Sequence, residues 1–201
     1  ENGVVSVGVF HKSIDNPVYT NSFTLSDTTF QGRAYEQLDV SRPENAESGE
    51  ISGIEFNWQQ FFPALPAPFD GLGINFNYTF TDSSATIFGR EDDVPFFGQS
   101  DEIGNIALLY EKYGFEARVA YSLNSDSLIS AGANADGDVY RAERKVFDAK
   151  VSYRVHPRAR VFVEFTNIDE EPLSSYQATP ARVRGYEIYS WNANVGVSWN
   201  L

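Results

Sequence analysis

Along much of the chain, apolar and polar side chains alternate one by one. Towards the C-terminus, Tyr189, Trp191, Ala193, Val195, Val197, Trp199 and Leu201 occupy odd positions. Ser190, Asn192, Asn194, Gly196, Ser198 and Asn200 fall between them. Period two sends successive side chains to opposite faces of a strand, so this stretch from Gly185 reads as a strand between two unlike environments. Leu72, Ile74, Phe76, Tyr78 and Phe80 repeat the pattern, as do Phe115 to Leu123, Phe147 to Val155, and Ile54, Phe56 and Trp58. Val161, Val163 and Phe165 follow it too, with Phe162 breaking the rule. Val4 to Lys12 and Glu102 to Lys112 are strand-like with ambiguous facing. The pattern predicts an all-β, antiparallel, up-and-down fold of about eight strands, each near the ~10 residues that a tilted membrane strand needs.

The connections alternate in length. Short ones fall near Pro63–Gly71, Glu111–Gly114 and His156–Ala159. Long ones fall near Ser26–Gly49, Asp82–Ser100, Ser125–Glu143 and Asp169–Arg184. Long loops at one end and tight turns at the other are the layout of an outer-membrane barrel. Aromatic residues gather where strands end: Phe61, Phe62 and Phe69 at one turn, Tyr110, Tyr113 and Phe115 at the next. Trp199 lies near the terminus, with Tyr189 and Trp191 towards the opposite end. These positions suit two interfacial girdles; the aromatic corners of a sandwich core are the less favoured alternative.

Composition narrows the choice. Hydrophobic residues make up 42% of the 201 residues, too many for a disordered acidic tail. A net charge of −13 argues against nucleic acid as a partner, which requires a basic face. The absence of cysteine excludes a disulfide scaffold, thiol catalysis and thiolate metal sites. Zero methionine points to a processed product or a piece of a longer protein. No run of 18 apolar residues offers a helical span, but hydropathy detects membrane barrels poorly, because their strands alternate.

The last residues, Asn194-Val195-Gly196-Val197-Ser198-Trp199-Asn200-Leu201, resemble the C-terminal targeting signal of bacterial outer-membrane proteins. Asn194, Gly196, Trp199 and Leu201 fill its slots, and Leu201 stands where Phe is usual. Such a strand can pair with an open edge of the barrel-assembly machinery. More of the chain resembles the C-terminal part of TonB-dependent receptors. Val7–Ile14, Ser48–Glu55 with Leu65-Pro66 and Gly71–Thr79, and Val163–Asp169 carry the likeness in matching order. The resemblance implies a barrel of about 22 strands with a plugged lumen, of which residues 1–201 are the last third. It also implies that the plug, the TonB-binding region and the earlier strands lie outside this chain. Eight strands taken from such a barrel have two unpaired edges and an exposed apolar face, so the isolated piece is expected to associate, aggregate or close differently.

Candidate chemistry is sparse. His11 and His156 lack a second ligand at metal spacing, and no nucleophile elbow, Walker loop or dinucleotide loop occurs, so no catalytic residue, metal or cofactor is assigned. Asn134-Ala135-Asp136-Gly137-Asp138 has a calcium-loop flavour without the closing Glu and reads as an acidic turn. Glu116 and Arg118 share a face with Asp148, Lys150 and Arg154 on the next strand. They are candidates for a ligand-facing or wall-stiffening charge ladder. Glu91, Asp92, Asp93, Asp136 and Asp138 are candidates for an acidic extracellular surface.

The function expected is gated active uptake of a scarce nutrient (siderophore, cobalamin or saccharide) across the outer membrane. This chain would supply wall and loops. A complete eight-stranded barrel with an adhesion or anchoring role, and a soluble acidic β-sandwich, are the alternatives.

Overall fold

A computed structural model describes Gly3–Asn200. Leu201 of the terminal pattern lies outside the described residues. Fourteen strands form: β1 (Gly3–Asp15), β2 (Val18–Phe30), β3 (Arg33–Asn45), β4 (Ser48–Phe61), β5 (Leu72–Thr86), β6 (Glu102–Lys112), β7 (Phe115–Asn124), β8 (Ser127–Ser130), β9 (Val139–Arg141), β10 (Arg144–His156), β11 (Ala159–Thr166), β12 (Leu173–Gln177), β13 (Val183–Glu187) and β14 (Asn192–Trp199). Eight of them make one antiparallel sheet in the order β1-β4-β5-β6-β7-β10-β11-β14, as the alternation predicts. The sheet is open: β1 and β14 each pair on one side only among the described residues.

The connections segregate by length. Residues 62–71, 113–114 and 157–158 turn the chain at one end of the wall, and long excursions leave from the other. Those excursions carry their own strands. β2 and β3 form a separate hairpin, and β13-β12-β9-β8 form a four-stranded sheet. The stretch read as one strand from Gly185 is therefore divided. Its start belongs to β13 in the small sheet, and only Asn192–Trp199 belongs to the wall.

Register gives the wall two unlike faces. On one face, Val5, Trp58, Phe76, Ile106, Tyr121 and Phe147 stand opposite one another in a continuous row across six strands. A second row runs Ile74, Leu108, Val119, Ala149, Phe165 and Ala193, and a third Leu72, Tyr110, Ala117, Val151, Val163 and Val195. This face settles the ambiguous facing of β1, whose Val5, Val7 and Val9 belong to it. The other face carries Ser6, Asn57, Asn77, Asn105 and Ser122 in one row. Another row carries Leu109, Arg118, Lys150, Glu164 and Asn194.

The apolar face is not covered. Val195 is 83% exposed and Val9 78%. Among the described residues, the buried cluster of apolar side chains lies instead among the long excursions: Tyr19, Ala46, Ala85, Ile87, Val94, Leu128 and Ala131, backed by Phe96, Phe97 and Tyr140. This cap holds the small sheet, the base of the hairpin and the β5–β6 connection together.

Candidate lumen wall and extracellular cap

Flat aromatic rings against glycines shape the polar face of the wall. Gly196 on β14 sits opposite Phe162 on β11, whose ring lies so close that a Cβ at Gly196 would come within 2.5 Å of it. Lys150 Nζ lies over the same Phe162 ring, 5.2 Å from its centroid. The residue that breaks the alternation of β11 is thus sandwiched between a glycine and a lysine, paying little for its place on a polar face. Phe10 covers Gly53, and Phe61 covers Gly73, in the same manner. Phe61 consequently points to the polar face, with Asn57 and Gln59, and not to an outward girdle.

Between these rings the face is hydrogen-bonded across strands. Asn105 donates through Nδ2 to Asn77 Oδ1 at 3.0 Å, and Ser122 Oγ donates to Asn105 Oδ1 at 2.7 Å. The predicted charge ladder shares this face, and one of its ion pairs runs further than the neighbouring strand. Glu116 on β7 pairs with Arg160 on β11, and Ser152 of the intervening β10 accepts from Arg160 Nη1 at 3.2 Å. Lys150 lies 3.8 Å from Glu164. Arg160 and Glu164 were missed by sequence reading, since their partners lie on other strands. The position of Glu164 in the alternation was the available signal. Asp148 accepts the backbone N–H of Asn167 at 2.9 Å and so fixes the start of the last excursion. Arg118 and Arg154 form no ion pair among the described residues.

At the turn end, the register shifts between Arg154 and His156. The irregularity moves His156 off the polar face. Its ring stacks on Trp199, centroids 5.8 Å apart and planes 6° apart. Trp199 belongs to the outward row, beside Val197 and opposite Ala159. The terminal residues Asn194 and Gly196 face the polar side, and Trp199 the apolar side.

In the cap, the acidic candidates take part in internal contacts. Arg90 Nη1 donates to Asp138 Oδ1 at 2.5 Å, with both side chains nearly sealed from solvent at 2% and 3% exposure. Asp138 also accepts the Gly132 N–H at 2.8 Å, and Arg90 pairs with Asp92 as well. The hydrogen bond from Arg90 holds the Asp92 carboxyl below its ordinary range, and the two carboxylates hold Arg90 firmly protonated. Asp93 accepts from Thr86 Oγ1 at 2.8 Å, and Asp136 pairs with Arg182 at 2.5 Å. Glu91 is exposed on the surface, without a hydrogen bond or ion pair among the described residues. At the hairpin base, Glu44 accepts from Asn21 at 2.9 Å and from Arg42 at 2.6 Å, which lowers its proton affinity. Tyr176 donates to Asp126 Oδ2 at 2.6 Å, and burial, with that bond, pushes its phenol up. Among the described residues no group of three His, Asp or Glu is placed to hold a metal ion.

An open antiparallel sheet with one apolar and one polar face, tight turns at one end and structured excursions at the other, defines a segment of membrane β-barrel wall. Residues 1–168 match the family described as TonB dependent receptor-like, beta-barrel. The chain belongs to this family of outer-membrane TonB-dependent transporters. Barrels of this kind turn an apolar face to lipid and a polar face to the lumen. No curated relative matches the chain.

Proposed function

We propose that this chain supplies eight wall strands and an extracellular cap to a TonB-dependent uptake receptor whose plug and remaining strands lie elsewhere in the polypeptide. The observation that carries the reading is the open sheet. Each edge strand has a free row of backbone donors and acceptors, which a spanning barrel must pair with further strands. A closed eight-stranded barrel would need β1 to pair with β14. The receptor imports a scarce small molecule of the siderophore, cobalamin or saccharide type by gating, with no bond-making chemistry. β14 serves as the insertion signal read by the barrel-assembly machinery, and TonB acts through the N-terminal region.

The test uses cells expressing the full-length receptor, offered a panel of ferric siderophores, cobalamin and maltooligosaccharides. Accumulation of one member that is abolished by deleting TonB is the expected result. Accumulation of none, or uptake indifferent to TonB, contradicts the reading.

A further inference from the structure

The lumen face divides electrically between β6 and β7. From β4 to β6 its central rows are amides and small residues, Asn57, Gln59, Asn75, Asn77, Asn105 and Ala107, with the carboxylates Glu55 and Glu111 the charged groups of β4 and β6 on this face. On β7, β10 and β11 the same face carries five cations, Arg118, Arg144, Lys150, Arg154 and Arg160, against three anions, Glu116, Asp148 and Glu164. Among the described residues, two of the cations find a carboxylate partner: Arg160 with Glu116, and Lys150 with Glu164 at the long distance of 3.8 Å. Asp148 is engaged by the Asn167 backbone. Arg118, Arg144 and Arg154 form no ion pair among the described residues.

Two features mark this surplus as more than a solvated surface. Arg144, at the extracellular end of β10 and opposite Asn124, has its Nε buried without a hydrogen-bond partner. Such an orphaned donor is costly unless something absent from the chain satisfies it. Lower on the wall, Arg118 stands directly opposite Lys150, and Arg154 directly opposite Arg160. Like charges facing one another across neighbouring strands oppose pairing, so the wall carries a cost that an anion in the lumen would relieve. Six residues of β10 separate Arg144 from Lys150, and four more separate Lys150 from Arg154. At ~3.3 Å per residue these are steps of roughly 20 and 13 Å, a track down the lumen instead of a single pocket.

We infer that the lumen face of β7, β10 and β11 is a track for an anionic substrate, one bearing carboxylate, phosphate or comparable oxyanion groups, with Arg144 its uppermost contact and Arg118 the next. Guanidinium groups suit this task, because they hold their charge at any working pH and grip two oxygens at once. The remainder of the chain is strongly acidic, so a cationic strip on one wall also orients an anion towards itself within the lumen. The inference builds on the uptake reading by naming a substrate class.

The experiment is the structure of the full-length receptor from crystals soaked in sodium tungstate, a divalent oxoanion with an anomalous signal. Equilibrium dialysis of tungstate against the same protein accompanies it. Tungstate within about 3 Å of the Arg144 and Arg118 guanidinium groups is expected. In the double variant Arg118→Gln/Arg144→Gln, binding weakens about tenfold or more, and Arg118→Lys/Arg144→Lys recovers part of it. Carboxylates from the plug paired with both arginines, an adventitious ion only (tungstate elsewhere on the surface), or dialysis unchanged by the substitutions would each overturn the inference. Transport is not part of this readout, so failure of anion binding and failure of TonB-dependent uptake are separately visible.

Discussion

The cap and the wall use the same kinds of residue in opposite ways. In the cap, Leu128 is fully buried, and Arg90 and Asp138 are sealed against each other. In the wall, Val195, Val197 and Val9 lie open. Leu128 answers to water, and burial removes its apolar surface from that solvent. The wall valines answer to lipid, which is as apolar as they are, so they need no protein cover. Backbone hydrogen bonding, which lipid cannot supply, holds the wall together. The difference teaches that exposure has no fixed meaning in this molecule. An exposed apolar side chain is misplaced in the cap and at home in the wall.

The sharpest way to break the comparison is to remove one partner of the buried ion pair. Arg90→Gln leaves Asp138 charged and sealed, at an expected cost of about 3–5 kcal/mol. Hydrogen exchange on the full-length receptor should show β8, β9 and β12 opening, while β5–β7 and β10 keep their protection. Next in size, Leu128→Ala should cost about 2–5 kcal/mol through the cavity it opens. On the lipid face, Val163→Arg should cost about 2–4 kcal/mol in folded-barrel stability when it lies near the bilayer midplane. The lumen-facing Glu164→Arg next to it should disturb mainly Lys150. Denaturant titration in bilayers separates the two, and equal costs would contradict the assignment of faces.

A smaller effect tests the glycine–aromatic contacts. Gly196→Ala pushes the Phe162 ring aside and should cost about 1–3 kcal/mol, most of it recovered when Phe162→Ala is added. The smallest is the response of the cap to acid. Asp92 and Glu44 have lowered pKa values in the folded state, so their contribution is present above the ordinary carboxylate range. It is lost as pH falls below about 4 through their folded values. Cap amides should therefore lose exchange protection on acidification before wall amides do. Simultaneous loss would mean that the two regions share one cooperative unit.

These contrasts also explain what could be read from sequence. The wall was legible because lipid on one side and a wet lumen on the other force strict alternation, as in β5, β7, β10 and β14. The lengths of the connections betrayed which end carried the excursions. The structure of those excursions was not legible. β2 is rich in Ser and Thr, and β3 carries Arg33, Glu36, Asp39, Arg42 and Glu44, so their periodicity is faint, and β8, β9, β12 and β13 are only three to five residues long. The candidate site was legible only as a shared face. Glu116, Arg118, Asp148, Lys150 and Arg154 do occupy one side of the wall, but the partnership of Glu116 with Arg160 spans an intervening strand. Arg90 and Asp138 are 48 residues apart and meet only through the packing of two connections. His156 needed the register shift at the end of β10 to be placed beside Trp199, and no periodicity encodes such a shift.

Alternate positions of the wall strands face different solvents, lipid on one side and water on the other. The chain contains no cysteine, so a single introduced one is a unique reporter within it. Spin labels placed one at a time at 193 to 199 of the full-length receptor in bilayers measure collision with oxygen, which prefers lipid, and with a water-soluble nickel chelate. Oxygen maxima are expected at 193, 195, 197 and 199, and nickel maxima at 194, 196 and 198. A profile without that two-residue period, or one of opposite phase, would contradict it.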